Sequence, residues 1–141
     1  MNERAGGAGG AAPWDVLVVD DEPVVRDAIR LVLEADGLGV ATVADCEAAL
    51  AHPAADTCRL VLCDLKLPES SGLEVLRALR ARRPRLPVVM ITGYATAEVA
   101  LESLRCGAAG FLPKPFDDAE LMTQVRQALT MRDAADKEKV P

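Results

Sequence analysis

At 141 residues, half of them apolar and 27% charged, the chain has the size and composition of one globular domain that buries a core without disulfide staples. A net charge of −6 argues against a phosphate-neutralising nucleic-acid surface, and no apolar run nears the roughly 20 residues a membrane span needs. The N-terminus lacks the basic-then-apolar layout of a secretory signal, so a cytoplasmic location is expected. Cys46, Cys58, Cys63 and Cys106 show no Cys-x-x-Cys spacing and read as reduced small hydrophobes rather than a zinc site. The single histidine, His52, lies in an Ala/Pro-rich stretch and reads as a surface residue.

Residues 1–12 are Gly/Ala-rich and read as a flexible tail. Gly7, Gly9 and Ala12 match a Gly-x-Gly-x-x-Ala fingerprint formally, but that motif must follow a strand, and here it precedes the first one. Asp15 to Val19 is the first predicted strand, closed by Asp20-Asp21-Glu22-Pro23, where an acid ahead of proline suits a helix start. The helix to about Ala35 sets Val25, Ile29, Val32 and Leu33 on one face, and Gly37 ends it. Residues 39–44 read as the second strand, and Asp45 caps a short helix through Ala51.

Leu60 to Cys63 is a continuous apolar run, as a strand buried on both faces requires. It stops at a carboxylate, Asp64, before a loop signalled by Pro68, Ser70, Ser71 and Gly72. Gly72 to Arg82 is the third helix, with Leu73, Leu76 and Leu79 inward. Val88 to Ile91 is the fourth strand, ending at Thr92-Gly93-Tyr94, and Ala97 to Cys106 the fourth helix, stopped by Gly107. A short fifth strand, Gly110 to Leu112, runs into Pro113-Lys114-Pro115-Phe116. Asp117 or Asp118 then caps a last helix to about Arg132, and residues 133–141 read as a frayed tail or the start of a linker.

Alternating strands and helices force parallel strands and right-handed crossovers. The expected architecture is a single α/β domain over residues 13–132, doubly wound and flavodoxin-like, its five-stranded parallel sheet ordered 2-1-3-4-5 with five helices. In that order Asp20, Asp21, Asp64, Thr92 and Lys114 all fall just past strand ends, around the switch point where such sheets bind ligands. Three crowded carboxylates repel unless a cation joins them, and a hard, oxygen-seeking Mg²⁺ fits that need. Lysine and hydroxyl donors around a carboxylate suit phosphoryl transfer, with Asp64 as nucleophile. In this reading Asp20, Asp21 (the more direct), Asp64 and the Lys66 backbone carbonyl hold Mg²⁺, while Thr92 and Lys114 bind phosphoryl oxygens.

The runs Val-Val-Asp-Asp-Glu-Pro (18–23), Leu-Cys-Asp-Leu-Lys-Leu-Pro (62–68), Ile-Thr-Gly-Tyr (91–94) and Lys-Pro-Phe (114–116) resemble the motifs of the receiver domain of bacterial two-component response regulators, in their order and separations. The resemblance implies phosphotransfer to Asp64 from a histidine kinase or His-phosphotransfer protein, with Mg²⁺ required. It also implies a switch through Thr92 and the aromatic of the fifth strand, here Phe111. The fourth helix, fifth strand and fifth helix would re-present a surface, with Glu98, Glu102, Arg105, Asp118 and Arg126 exposed on it and a homodimer as one use. Phe111 lacks the hydroxyl of the tyrosine often found there, so it can swing only by packing. Lys114–Pro115 is a candidate cis bond. Lys66 and Tyr94 are expected to flank the phosphoryl group and hinder an attacking water. A phosphohydrolase of the haloacid dehalogenase type is disfavoured, because Lys66 stands where its second Asp belongs. A binding module without phosphorylation is disfavoured by the intact set of five site residues. The chemistry expected is on the domain itself, not turnover of an outside substrate.

Overall fold

A computed structural model describes residues 13–139; the tail expected over residues 1–12 lies outside them. The strands are β1 (Val16–Val19), β2 (Val40–Val43), β3 (Leu60–Asp64), β6 (Val88–Thr92) and β7 (Gly110–Pro113), all parallel in the order β2-β1-β3-β6-β7. This is the expected 2-1-3-4-5 order. Between them run α1 (Pro23–Ala35), α2 (Cys46–Ala51), α3 (Ala54–Thr57), α4 (Gly72–Arg82) and α5 (Ala97–Arg105), and α6 (Asp118–Lys139) follows β7.

Strand alternation divides the core in two. Leu17 and Val19 of β1 face the layer of α2, α3 and α4, with Ala49, Ala55, Val75, Leu76 and Leu79. Val16 and Val18 face α1 and α6, through Ile29, Leu33, Leu121 and Val125. All nine of these helix residues are removed from water, so the two layers clamp the central strands from both sides. That burial fixes where β1, β3 and β6 end, and hence where their terminal polar residues stand.

Helix starts follow local chemistry. Asp45 Oδ1 accepts from the Ala48 N–H at 2.7 Å, Thr96 Oγ1 from Val99 at 3.1 Å, and Ser71 with Glu74 closes a capping box on α4. Asp117, rather than Asp118, caps α6, with Asp117 and Glu120 exchanging N–H bonds of 2.8 and 2.9 Å.

The structure corrects four expectations. There are six helices among the described residues, not five, because Pro53 starts the extra turn α3 and seats Ala54 and Ala55 in the core. The loop after Asp64 contains a two-stranded hairpin, β4 (Lys66–Leu67) with β5 (Ser70–Ser71). Helix α6 continues to Lys139, through the stretch expected to fray from Asp133; the Ala, Lys and Glu residues there are good helix formers. His52 is half-buried, edge-on to Trp14 with ring centroids 4.9 Å apart, and its Nδ1 accepts from the Ala54 N–H at 2.9 Å.

Candidate functional site at the carboxyl ends of the strands

Asp20 and Thr92 are fully buried and Asp64 is 5% exposed, each just where an apolar strand runs out. Burial on this scale needs partners for every polar atom. The Asp20 N–H donates to Val43 O at 3.1 Å, and its Oδ1 accepts from the Glu22 N–H at 2.8 Å. Asp64 Oδ1 accepts from the Lys66 N–H at 3.1 Å, and Thr92 Oγ1 accepts from the Tyr94 N–H at 2.9 Å. Gly72 lies so close that a Cβ there would collide with the Asp64 carbonyl oxygen and sit 2.9 Å from Leu65 Cα. The glycine is what lets α4 start directly beneath the acid.

Lys114 leaves β7 with its N–H on Thr92 O at 2.8 Å, and the Lys114–Pro115 bond is cis. Its ammonium reaches Glu22 Oε1 at 2.8 Å, Asp64 Oδ2 at 2.9 Å and Asp20 Oδ2 at 2.9 Å. One cation thus serves a cluster of four acids, Asp20, Asp21, Glu22 and Asp64, whose nearest oxygens all lie within 4.8 Å of one another. Burial disfavours the lysine's charge, yet the hydrogen bonds it donates to Glu22 and Asp64, with the nearby Asp20 charge, outweigh it and hold its pKa above the ordinary value. Burial raises the pKa of Asp20, aided by the nearby Asp64 charge and only partly opposed by the Glu22 N–H and Lys114. Hydrogen bonding to Lys114 lowers that of exposed Glu22.

Asp20 Oδ2 is the informative atom. It is buried, and although the ammonium is 2.9 Å away it has no partner in hydrogen-bonding geometry. A hard cation would complete its coordination, and the surrounding donors are all oxygens. The residues therefore fit Mg²⁺, with four carboxyl groups facing a single ammonium.

The site opens into a cavity of about 390 Å³ lined by Asp21, Asp64, Lys66, Thr92, Tyr94 and Lys114 among others. At its rim Lys66 Nζ lies 3.5 Å from the Tyr94 hydroxyl and 5.2 Å from the ring centre. A Cβ on Gly93 would meet nothing within 4 Å, so access past Thr92 is open. Phe111 pairs in register with Met90 and is half-buried in the core; Thr92, two residues on from Met90, shares that sheet face.

Of the site residues expected from the sequence, Asp20, Asp21, Asp64, Lys66, Thr92, Tyr94 and Lys114 lie together here, whereas Phe111 lines a separate cavity with Asp117 and Glu120. Glu22 was read only as a helix start, whereas its side chain grips Lys114; the available signal was its place as third acid of the run at 20–22. Elsewhere, Glu102 pairs with Arg77 at 3.8 Å and Arg126 with Asp36 at 3.4 Å, while Glu98, Arg105 and Asp118 are exposed. The cysteines are free thiols, and burial pushes that of Cys63 well up. No helix among the described residues is long and apolar enough to cross a membrane.

The response regulator receiver domain family matches residues 16–126. The chain is 38% identical over 125 residues to the C4-dicarboxylate transport transcriptional regulatory protein DctD of Pseudomonas aeruginosa, covering 86% of this chain and 27% of DctD. It is 37% identical to the transcriptional regulatory protein FixJ of Azorhizobium caulinodans, covering 81% of this chain and 54% of FixJ. It therefore spans about half or less of these two relatives. Among solved structures, the receiver domain of NtrX from Brucella abortus aligns with a TM-score of 0.77 at 38% identity, over 82% of this chain and 98% of that one. A CheY-like receiver domain protein from Methanospirillum hungatei aligns with a TM-score of 0.81 at 29% identity, over 88% and 99%. With the parallel sheet, the acidic pocket and these matches in agreement, the chain belongs to the response regulator receiver domains of two-component signalling.

Proposed function

We propose that Asp64 is the phosphoacceptor of this receiver, with residues 13–132 as the working unit. An Asp64 oxygen attacks the phosphorus of a phosphohistidine on a histidine kinase or His-phosphotransfer protein. The O–P bond forms as the P–N bond breaks, and the imidazole, already protonated on its other ring nitrogen, leaves as the neutral ring. The observation that carries this reading is the ammonium of Lys114, 2.9 Å from Asp64 Oδ2 inside an otherwise acidic pocket. It supplies fixed positive charge where the transferred group must sit. Thr92 and Lys114 bind phosphoryl oxygens. Asp20, Asp21, Asp64 and the Lys66 backbone carbonyl are the groups that hold Mg²⁺, which when bound offsets the charge of the phosphoryl oxygens.

The added charge of roughly −1.5 to −2 shifts the domain only as far as the two states differ in their contacts with it. Thr92 turning toward the phosphoryl group, with Phe111 repacking, would change the α5–β7–α6 surface. That surface then acts on a partner, an output domain or a second copy of the chain, in the cytoplasm, without direct nucleic-acid or membrane binding by this domain. Its chemistry is confined to gaining and losing its own phosphate, so it is not an enzyme toward other substrates. Lys66 and Tyr94 at the rim slow attack by water; faster decay of the acyl phosphate in Lys66→Asn and Tyr94→Ala is expected, and unchanged decay in both would remove that role.

Incubation with acetyl phosphate and Mg²⁺, read by intact mass, tests the main claim. A labile adduct of one phosphoryl group, absent in EDTA and in Asp64→Asn, is expected. An adduct that persists in Asp64→Asn would overturn the assignment.

A further inference from the structure

The link between β1 and α1 is three residues long, and it carries three of the four acids of the pocket, Asp20, Asp21 and Glu22. Asp20 is buried and bonded through its side chain, but Asp21 is exposed, and its aim depends on the backbone beneath it. Both ends of that backbone are fastened by one residue. The Arg26 guanidinium reaches back along α1 and donates from Nη1 to the Asp20 carbonyl at 2.6 Å, while the Arg26 N–H donates to the Glu22 carbonyl at 3.0 Å. The Asp20 carbonyl is the first beyond the β1 ladder, so without this donor it is a buried acceptor past the end of the sheet.

We infer that Arg26 is the positioning residue of this acidic link: its guanidinium on the Asp20 carbonyl fixes the directions in which Asp20 and Asp21 present their carboxylates to a divalent cation. The inference rests on the pocket being a Mg²⁺ site. Its cost is visible in the charges, since a guanidinium beside a cation site weakens binding by simple repulsion. Arg26 stands there in spite of that repulsion, and pinning the carbonyl is the gain that offsets it. The two contributions have opposite signs, so substitution separates them. Loss of repulsion tightens Mg²⁺, whereas loss of the pin loosens it; groups that orient ligands from behind typically alter metal affinity by about 10- to 100-fold.

The test is Mg²⁺ binding by calorimetry to the full chain and to Arg26→Met and Arg26→Lys, with melting curves in EDTA alongside. Arg26→Met should raise the Kd about tenfold, and Arg26→Lys, which keeps a donor of similar reach, should restore most of the affinity. Should Arg26→Met not fold, Arg26→Gln, too short to reach the carbonyl, is measured in its place with the same expectation. A Kd in the Met or Gln variant equal to or tighter than that of the wild type overturns the inference, as does a lowered melting temperature with unaltered Mg²⁺ affinity. A wild-type chain that binds no Mg²⁺ would instead overturn the metal reading of the pocket itself.

Discussion

The two ends of the sheet handle charge in opposite ways. At the amino end of the strands, Asp15 Oδ2 accepts from the Gly39 N–H at 2.7 Å and Oδ1 lies 3.6 Å from Arg59, whose own N–H donates to Asp15 O at 2.7 Å. The arginines near the end of α4 likewise turn to carbonyls: Arg80 to Leu86 at 3.3 Å, Arg82 to Leu50 at 2.9 Å and Arg83 to Ala55 at 3.2 Å. Such cations close helix ends and loops, which is structural work. At the carboxyl end four acids share one lysine, and a buried oxygen of Asp20 is left without a hydrogen bond. Charges each tied to a backbone group or a partner mark the end that holds the fold; acids crowded around one lysine mark the end that is arranged for something the chain does not itself supply.

The largest effect should come from disturbing the packing that supports the charged end. Gly72→Ala forces a Cβ against the Asp64 carbonyl and Leu65 Cα, both backbone, so neither can swing aside as the Met90 side chain could. Urea denaturation should show a loss of about 3 kcal/mol, the upper range for overpacking, together with weaker Mg²⁺ binding because Asp64 is displaced. Full stability in this variant would mean that α4 does not start as tightly against β3 as described.

Exchanging the charges themselves sharpens the contrast. Asp20→Asn should stabilise the metal-free protein, because burial and the neighbouring Asp64 charge both disfavour the Asp20 carboxylate. It should also abolish stabilisation by Mg²⁺. The sign of the pH effect follows from burial raising the Asp20 pKa. The folded state then holds this proton more tightly than the unfolded chain, so the group's contribution is full at acid pH and is lost as pH rises through its folded pKa. Glu22, its pKa lowered by Lys114, acts in the opposite sense, losing its contribution as pH falls. The difference between wild type and Asp20→Asn isolates Asp20: their melting temperatures in EDTA should diverge as pH rises toward neutrality. With Mg²⁺ present the order should invert, since the ion needs the carboxylate deprotonated. At the other end Asp15→Ala should cost about 1 kcal/mol for its lost hydrogen bond and leave the response to Mg²⁺ untouched. A Mg²⁺ response that survives Asp20→Asn, or vanishes in Asp15→Ala, would break the distinction between the ends.

The charged end was the more legible of the two in the sequence. Apolar runs such as Leu60 to Cys63 mark strands buried on both faces, and an acid that ends such a run has only the sheet's carboxyl edge to occupy. Asp20, Asp64, Thr92 and Lys114 could be read that way. What could not be read depends on short or distant geometry. The turn α3 is four residues, too short to show a helical period. The grip of Glu22 on Lys114 joins positions 92 apart in sequence, and the reach of Arg26 to a carbonyl leaves no trace in composition. His52 reads as a surface residue because its neighbours are Ala and Pro, yet its ring partner is Trp14, far back in the sequence.

The smallest effect expected belongs to the hairpin beside the pocket. Leu67 pairs with Ser70, leaving Pro68 and Glu69 as the two residues of the turn. Proline at the first central position presets the chain for a type II turn, and the second then needs a positive φ. Glu69 has φ 56, a left-handed conformation that costs an L side chain about 1–2 kcal/mol. Glycine would remove that strain but lose about 0.5–1 kcal/mol to its freedom in the unfolded chain, so Glu69→Gly should gain about 0.5–1 kcal/mol. Glu69 also faces Asp45 and Glu47 across a neighbouring cleft, so removing its charge could by itself stabilise the fold. Glu69→Ala is the control, because it removes the charge and keeps the strained conformation. Chemical denaturation of both variants separates the causes. A gain in Gly alone assigns the effect to the backbone, whereas equal gains in Gly and Ala assign it to repulsion among the acids and leave the turn unstrained.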